Sequence, residues 1–365
     1  MRRLVLAVAC AAAALAASVA ACAGSQASRS PAGESWRSPL ERSHPLAGRV
    51  YDVRAGRFAS WAELEAAVAA PRFVLLGETH DNADHHLLQA RLVRAVAGSG
   101  RRMAVAFEML DAGEQKAVDR ALARAPGDPD ALAAETRWAK SGWPDFALYR
   151  PIFTAALDAG FPIAAVNLTR DQAREVVRRG PDVLEAPVRE LLEKAGPLPG
   201  PVLEDLRKEM AASHCGALPE SMMEPMVVMQ RARDVKMAQR TAAAADAAGG
   251  GAVLVAGAGH VRRDRGVPAY LALEAPSAPI LAVAFLEVSA DETEPGAYAS
   301  DMGVPALPFD WVVFTPRAER DDPCEGLRAR VEKGRDGGRP MGGWLDGGAP
   351  DAGRSGTKSD KEADL

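Results

Sequence analysis

The chain has 365 residues, of which 48% are hydrophobic and 25% charged, with a formal net charge of −5 at pH 7. Those values describe a globular protein with room for one large domain or two smaller ones. There is no basic stripe, which excludes nucleic acid as a partner. Aromatic residues, at 5%, are too few for a base-stacking platform but enough to line a pocket.

The N-terminus reads as a targeting segment. Arg2 and Arg3 precede an apolar run, Leu4 to Ala17, that is too short to span a bilayer comfortably. Val19-Ala20-Ala21-Cys22 then resembles the lipobox of bacterial lipoproteins, where cleavage before the cysteine is followed by acylation of its thiol. Residues 1–21 are therefore expected to be a lipoprotein signal peptide. Cys22 is expected to carry the acyl chains, which hold a membrane by about 0.8 kcal/mol per buried methylene. Ala23 after the cysteine points to the outer membrane of a bacterial envelope. An ordinary cleaved signal peptide with an accidental cysteine is the alternative. Residues 22–47, rich in Ser, Ala, Pro and Arg, read as a flexible tether, and residues 326–365 as a disordered tail, leaving 48–325 as the folded unit. Once Cys10 leaves with the signal and Cys22 is acylated, Cys215 and Cys324 remain as a pair in an oxidising compartment. A disulfide between them is expected, with two free buried thiols as the other reading.

Within the folded unit, apolar runs alternate with helical periods. Strands are expected at Phe73–Leu76, Met103–Phe107, Ile163–Val166, Ala252–Val255, Ile280–Phe285 and Trp311–Phe314. Helices are expected at about Asp84–Val96, Gly113–Arg124 and Tyr149–Asp158, and Thr169-Arg170-Asp171-Gln172 has the spacing of a capping box that opens another. The alternation predicts an α/β fold, with a mostly parallel central sheet flanked by helices. Residues 181–248 break the rhythm and read as a smaller helical subdomain inserted into that order. Met222, Met223, Met226 and Met229 fall there at helical spacing, which points to core packing, or otherwise to an apolar lip over a ligand site.

Four strands run off into polar residues. Gly77-Glu78-Thr79-His80 follows the first, Glu108 the second, Asn167 the third and Gly257-Ala258-Gly259-His260 the fourth. In an open α/β sheet, ligands bind in the crevice beyond the carboxyl ends of the strands, so these groups are candidates for one pocket. Glu78, His80 and His260 could bind a divalent metal, and with Glu108 they could share general acid–base work. Glu108 ends an apolar strand and needs a partner, for which Arg170, three residues past Asn167, is a candidate. Asp81 and Asp84 suit the start of a helix as caps, and His85 and His86 its first turn. No Gly-x-Ser-x-Gly elbow, His-Glu-x-x-His, Walker lysine or Cys-x-x-Cys-His is present.

The run Phe73 to Asn82, with His85, His86 and Gln89 after it, resembles the opening motif of the ChaN-like haem-binding lipoprotein family. Ala106-Phe107-Glu108-Met109, Ala165-Val166-Asn167-Leu168, His214-Cys215-Gly216, Gln230 to Asp234, Gly257 to Val261, Gly266-Val267-Pro268 and Phe314-Thr315-Pro316 continue the resemblance in order. It implies a surface lipoprotein linked to iron uptake, with haem as ligand and a homodimer as a plausible state. It also implies a tyrosinate iron ligand, for which this chain offers Tyr51, Tyr149, Tyr270 and Tyr298. A hard anionic oxygen stabilises ferric haem, which is the reason for such a ligand. The same Gly-x-x-His motifs are similar to those of Tiki-type proteases and erythromycin esterases. That wider superfamily implies hydrolysis through Glu78, His80, Glu108 and His260. The leading expectation is a lipid-anchored haem-binding protein of haem or iron uptake, and the alternative is a hydrolase using the strand-end pocket.

Overall fold

The computed structural model describes residues 35–322 and 324–325. The strands are β1 (Val50–Asp52), β2 (Arg57–Ala59), β3 (Phe73–Glu78), β4 (Met103–Asp111), β5 (Ile163–Asn167), β6 (Gly251–Gly257), β7 (Ile280–Glu287) and β8 (Trp311–Thr315). They form one sheet in the order β2-β1-β8-β7-β3-β6-β4-β5. The six strands expected from the sequence pair in parallel, while β1 pairs antiparallel with both β2 and β8.

The central strands are apolar throughout because both faces are covered. Phe73, Leu75, Ala104, Ala106, Ala252 and Leu254 pack to one side, and Val74, Leu76, Val105, Phe107, Val253 and Val255 to the other. The second side is covered by α1 (Trp61–Val68), α2 (Ala83–Gly98), α3 (Gln115–Arg124), α4 (Pro129–Glu135) and α5 (Phe146–Asp158). Phe107 stacks on Phe153 of α5 with centroids 4.0 Å apart and rings 7° from parallel, a pairing that contributes about 1 kcal/mol beyond burial and fixes α5 beside the end of β4. On the first side lie α6 (Arg170–Arg179), α7 (Ala186–Ala195), α8 (Gly200–Ser213), α9 (Glu220–Ala248), α10 (Val267–Glu274) and α11 (Ala297–Asp301).

Two expectations are corrected here. Residues 181–248 are helical and contain no strand, but Val188, Leu206, Val235 and Ala238 share one core with the sheet residues Phe73 and Leu254. The stretch is a helical layer on the sheet, not a body with its own core; Met223, Met226 and Met229 are buried in it. The expected tether, for its part, does not extend to residue 47. Trp36 and Leu46 are buried, Leu40 bridges Arg317, and the backbone N–H groups of Arg37 and Ser38 donate to Asp84 at 3.0 and 2.8 Å. An indole and a leucine buried there outweigh the polar composition around them. The signal peptide, Cys22 and residues 326–365 lie outside the described residues.

Cys215 and Cys324 are joined in a disulfide, as expected from cysteine usage. Among the described residues, no helix is long and apolar enough to cross a membrane.

Candidate functional site

The parallel register builds the site. Glu78 of β3 stands opposite Gly257 of β6, and Phe107 of β4 opposite Val255, so both Gly-x-x-His turns and Glu108 emerge side by side. The β4–β5 register shifts between Phe107 and Asp111, which frees Glu108 from regular pairing at the rim. The first glycine of each motif admits the other. A β-carbon on Gly77 would stand 2.2 Å from Val261 Cγ2, inside the turn formed by Ala258–Val261. On Gly257 it would stand 3.0 Å from His80 Nε2 and 3.6 Å from Glu108 Oε2. The structure thus brings Glu78, His80, Glu108 and His260 into one group, with Glu78, Glu108 and His260 buried and His80 half-buried.

Two charge networks meet there. In the first, His80 Nδ1 donates to Glu78 Oε1 at 3.0 Å, and His86 Nε2 lies 2.6 Å from Glu78 Oε2. The His86 contact is out of hydrogen-bond alignment and acts as an electrostatic one. Burial alone would raise the Glu78 carboxyl, but His86 and His80 outweigh it and hold Glu78 at about 2. His86 stacks on Tyr149, with centroids 4.2 Å apart, and His80 meets the edge of Trp143 at 4.9 Å.

In the second network, Glu108 accepts from Arg233 Nη2 at 2.8 Å and from the Gly257 N–H at 2.8 Å, and its Oε1 lies 3.2 Å from His260 Nε2. His260 Nδ1 donates to Asp234 Oδ1 at 2.5 Å. Burial opposes a charged imidazole, yet Glu108 and Asp234 reverse that and push His260 up to about 10. Glu108 is pulled well below the usual carboxylate range, because His260, His80 and Arg233 outweigh its burial. Asn167 joins this network: its amide donates to the Glu108 carbonyl at 3.0 Å, and its oxygen accepts from Arg233 Nε at 3.1 Å.

Several sequence-based assignments change. The partner of Glu108 is Arg233 on α9, not Arg170, because α9 lies across the sheet and delivers a guanidinium directly above the end of β4. The cap of α2 is Asn82, whose oxygen accepts from the N–H groups of Asp84 and His85. Asp84 instead binds the Arg37–Ser38 backbone, and Asp81 pairs with Arg320. His85 is structural: Thr79 N–H donates to its Nδ1 at 2.9 Å and its Nε2 faces Thr315 Oγ1 at 2.7 Å, and burial lowers it to about 3. Among the described residues, no group of three or more His, Cys, Asp or Glu is arranged to hold a metal ion. Glu78 is engaged by His80 Nδ1 and His86, and His260 by Glu108 and Asp234. His86, Arg233 and Asp234 carry as much of the network as the expected residues. Arg233 and Asp234 were visible in the sequence only within the Gln230–Asp234 segment of the resemblance, and no strand end marks them.

Beside this group lies a cavity of about 460 Å³, bounded by Glu108, Asn167 and Arg233 on one side and by Met109, Trp143, Leu168 and Met229 as apolar wall. That is within the roughly 300–1,000 Å³ of small-molecule and cofactor sites. Exposed Arg137, Lys140 and Arg170 line its mouth.

None of the four tyrosines lines this cavity. Tyr149 is buried, donates to the His80 carbonyl at 3.2 Å, and is raised well above its ordinary value by burial and by Glu78. Tyr270 accepts from Arg231 at 3.1 Å and is pushed up to about 12 by burial. Tyr298 accepts from the Ser289 N–H at 3.0 Å and is raised by burial. Tyr51 is half-buried on β1, five strand spacings from β4, or about 24 Å.

A family described as "Haem-binding uptake, Tiki superfamily, ChaN" matches residues 64–271, more than half of the chain. The chain belongs to this family. The matched range holds every residue of the two networks and the whole cavity wall. Among solved structures, the ChaN of Campylobacter jejuni, described as binding haem cofacially, is similar at 20% identity with a TM-score of 0.56. The match covers 72% of this chain and 95% of that one. An erythromycin esterase, EreC, is similar at 14% identity with a TM-score of 0.42, over 72% of this chain and 94% of that one. No curated protein matches.

Proposed function

We propose that this ChaN-family chain is a lipid-anchored haem-binding protein of haem or iron uptake, with haem held in or near the cavity at the strand carboxyl ends. The observation that carries the reading is the family match over the segment that builds the cavity. The chemistry of the wall fits the periphery of such a group. Met109, Leu168, Met229 and Trp143 offer apolar and aromatic surface for a macrocycle, while Arg137, Lys140 and Arg170 offer cations for its carboxylates. When bound, haem supplies the redox and ligand chemistry of its iron. The chain's own part is to desolvate one face and to fix the carboxylates. For the iron ligand, none of the four tyrosines lines the cavity, so its wall offers no tyrosinate to a haem seated there.

The acyl anchor at Cys22, an outer-membrane location and a homodimer belong to the same reading and rest on the lipobox and the resemblance. The hydrolase alternative is less well supported. A general base works with a pKa near the operating pH, whereas His260 is held at about 10 and Glu78 at about 2, as partners in ion pairs.

Hemin titration of the purified protein, followed by its Soret band, tests the proposal. A saturable shift that persists when all four tyrosines become phenylalanine supports the cavity reading. Loss of the shift in that variant moves the haem to a tyrosinate site, and no shift at all in the wild-type protein rejects haem binding.

A further inference from the structure

The strand-end cavity offers an iron few groups able to give it an electron pair. Among the described residues, no histidine, cysteine or tyrosine lines it. Both carboxylate oxygens of Glu108 are taken, Oε1 by Arg233 and His260 and Oε2 by the Gly257 N–H. Asp111 and Glu114, at the mouth, form a reciprocal cap in which each carboxylate accepts from a backbone N–H. Lys140 is a cation and has no pair to donate until it loses a proton. The remaining donors in the apolar part of the wall are two thioether sulfurs, those of Met109 and Met229, and both side chains are buried.

These two methionines reach the cavity from opposite sides of the sheet. Successive residues of a strand point to opposite faces, and β4 shows this at its end. Glu108 turns toward α9, where it meets Arg233, whereas Phe107 and Met109 belong to the core on the α1–α5 side. Met229 stands four residues before Arg233 on α9, on the same helix face, and belongs to the core on the other side. The contact of Glu108 with Arg233 at 2.8 Å therefore fixes both methionines at one place, Met109 beside Glu108 and Met229 one turn from its partner. Trp143 packs against the same core as Met109, and Leu168 belongs to that of Met229, so each side of the cavity carries one thioether and one flat or branched apolar neighbour.

We infer that Met109 and Met229 are the axial iron ligands of a haem seated in this cavity, one on each face of the ring. The inference rests on the haem reading and adds to it the ligands and the oxidation state they select. Each sulfur gives a lone pair to the iron; no proton leaves and no electron is transferred in that step. Neutral, soft thioethers raise the potential of haem iron and favour the ferrous state, whereas a hard anionic phenolate favours the ferric state.

The test uses the whole folded chain loaded with hemin, read by absorption spectra before and after reduction with dithionite, with metal-free protoporphyrin as the probe of the apolar wall. The wild-type protein is expected to give a six-coordinate, low-spin ferrous spectrum and, when ferric, the weak near-infrared band of sulfur-to-iron charge transfer. Met and Leu have similar volumes, so M109L/M229L is expected to fold and to bind metal-free protoporphyrin as the wild type does. The same double variant should lose the near-infrared band, become high-spin, and bind ferrous haem at least about tenfold more weakly. Either single variant should leave a five-coordinate ferrous iron. M222L, half-buried on α9 but outside the cavity wall, leaves every spectrum as in the wild type. Identical spectra for the wild type and M109L/M229L overturn the inference and leave the haem reading standing, and so does a single variant that matches the wild type. Equal loss of hemin and metal-free porphyrin in the double variant overturns it too, since the two side chains would then serve only as apolar wall. If neither hemin nor the metal-free porphyrin binds the wild-type protein, the haem reading fails and this inference fails with it.

Discussion

Nδ1 of His260 lies 2.5 Å from Oδ1 of Asp234, so the second Gly-x-x-His turn is fastened to α9 by a buried charged hydrogen bond. Asp234→Asn leaves the shape but removes one of the two carboxylates that face the imidazole. Taking one partner from a buried ion pair costs roughly 3–5 kcal/mol when no other counter-charge is present. Glu108 remains at 3.2 Å, so the lower end, about 3 kcal/mol, is expected in urea unfolding. The His260 imidazole should also titrate at a lower pH in an NMR series. An unchanged titration midpoint would show that Asp234 does not hold the proton.

Gly77 and Gly257 are predicted to differ in their tolerance of a methyl group. On Gly77 it would meet Val261 Cγ2 at 2.2 Å, in the packed crossing of the two motifs, where no side chain can swing away freely. On Gly257 it meets the His80 ring at 3.0 Å, and that side chain is 26% exposed and can give. Overpacking of this kind costs about 1–3 kcal/mol. Gly77→Ala is expected at or above the upper end and Gly257→Ala near the lower end, with the latter displacing His80. Thermal melts rank the two, and a His80 resonance that stays put in Gly257→Ala would contradict the contact.

The strand ends were legible because burial on both faces makes a parallel strand an unbroken apolar run, and Glu78, Glu108, Asn167 and His260 stand out where such runs stop. The partners of those residues were not. Arg233 and Asp234 sit mid-way along α9, where periodicity gives them no special place; only the tertiary crossing of α9 over β4 and β6 makes them the counter-charges. The short antiparallel strands Val50–Asp52 and Arg57–Ala59 escaped notice for a related reason. Three residues carry no measurable alternation, and their pairing is decided by β8, some 260 positions away. Arg137 and Lys140 lie in a loop that has no pattern at all until the mouth it borders is known.

The histidines predict opposite pH limits. His260 is raised to about 10 from an unfolded value near 6.5, so its stabilisation is complete below about pH 6.5 and is lost as pH rises toward 10. His85 is lowered to about 3, so its contribution is complete above about pH 6.5 and is lost as pH falls toward 3, when the unfolded chain takes up a proton that the buried ring refuses. Stability should therefore peak near neutral pH, with the alkaline loss removed in His260→Gln and part of the acid loss removed in His85→Gln. Urea midpoints across pH 4 to 10 test this. An alkaline limb equal in wild type and His260→Gln would reject the first assignment.

The Cys215–Cys324 bond joins residues 109 positions apart, linking the segment just after α8 to the chain beyond β8. Chain entropy alone assigns about 4.7 kcal/mol to closing a loop of about 100 residues. The native chain near Cys324 is held independently, because Arg320 pairs with both Asp81 and Glu287 and Arg317 bridges Leu40. Reduction should therefore lower the global stability by about 2–4 kcal/mol without unfolding the sheet. In hydrogen exchange, the loss of protection should fall first on the end of α8 around Met210–Ser213, while β3 and β6 stay protected. Reduction that exposes β3 and the end of α8 together would show that the bond holds the whole fold and not one edge of it.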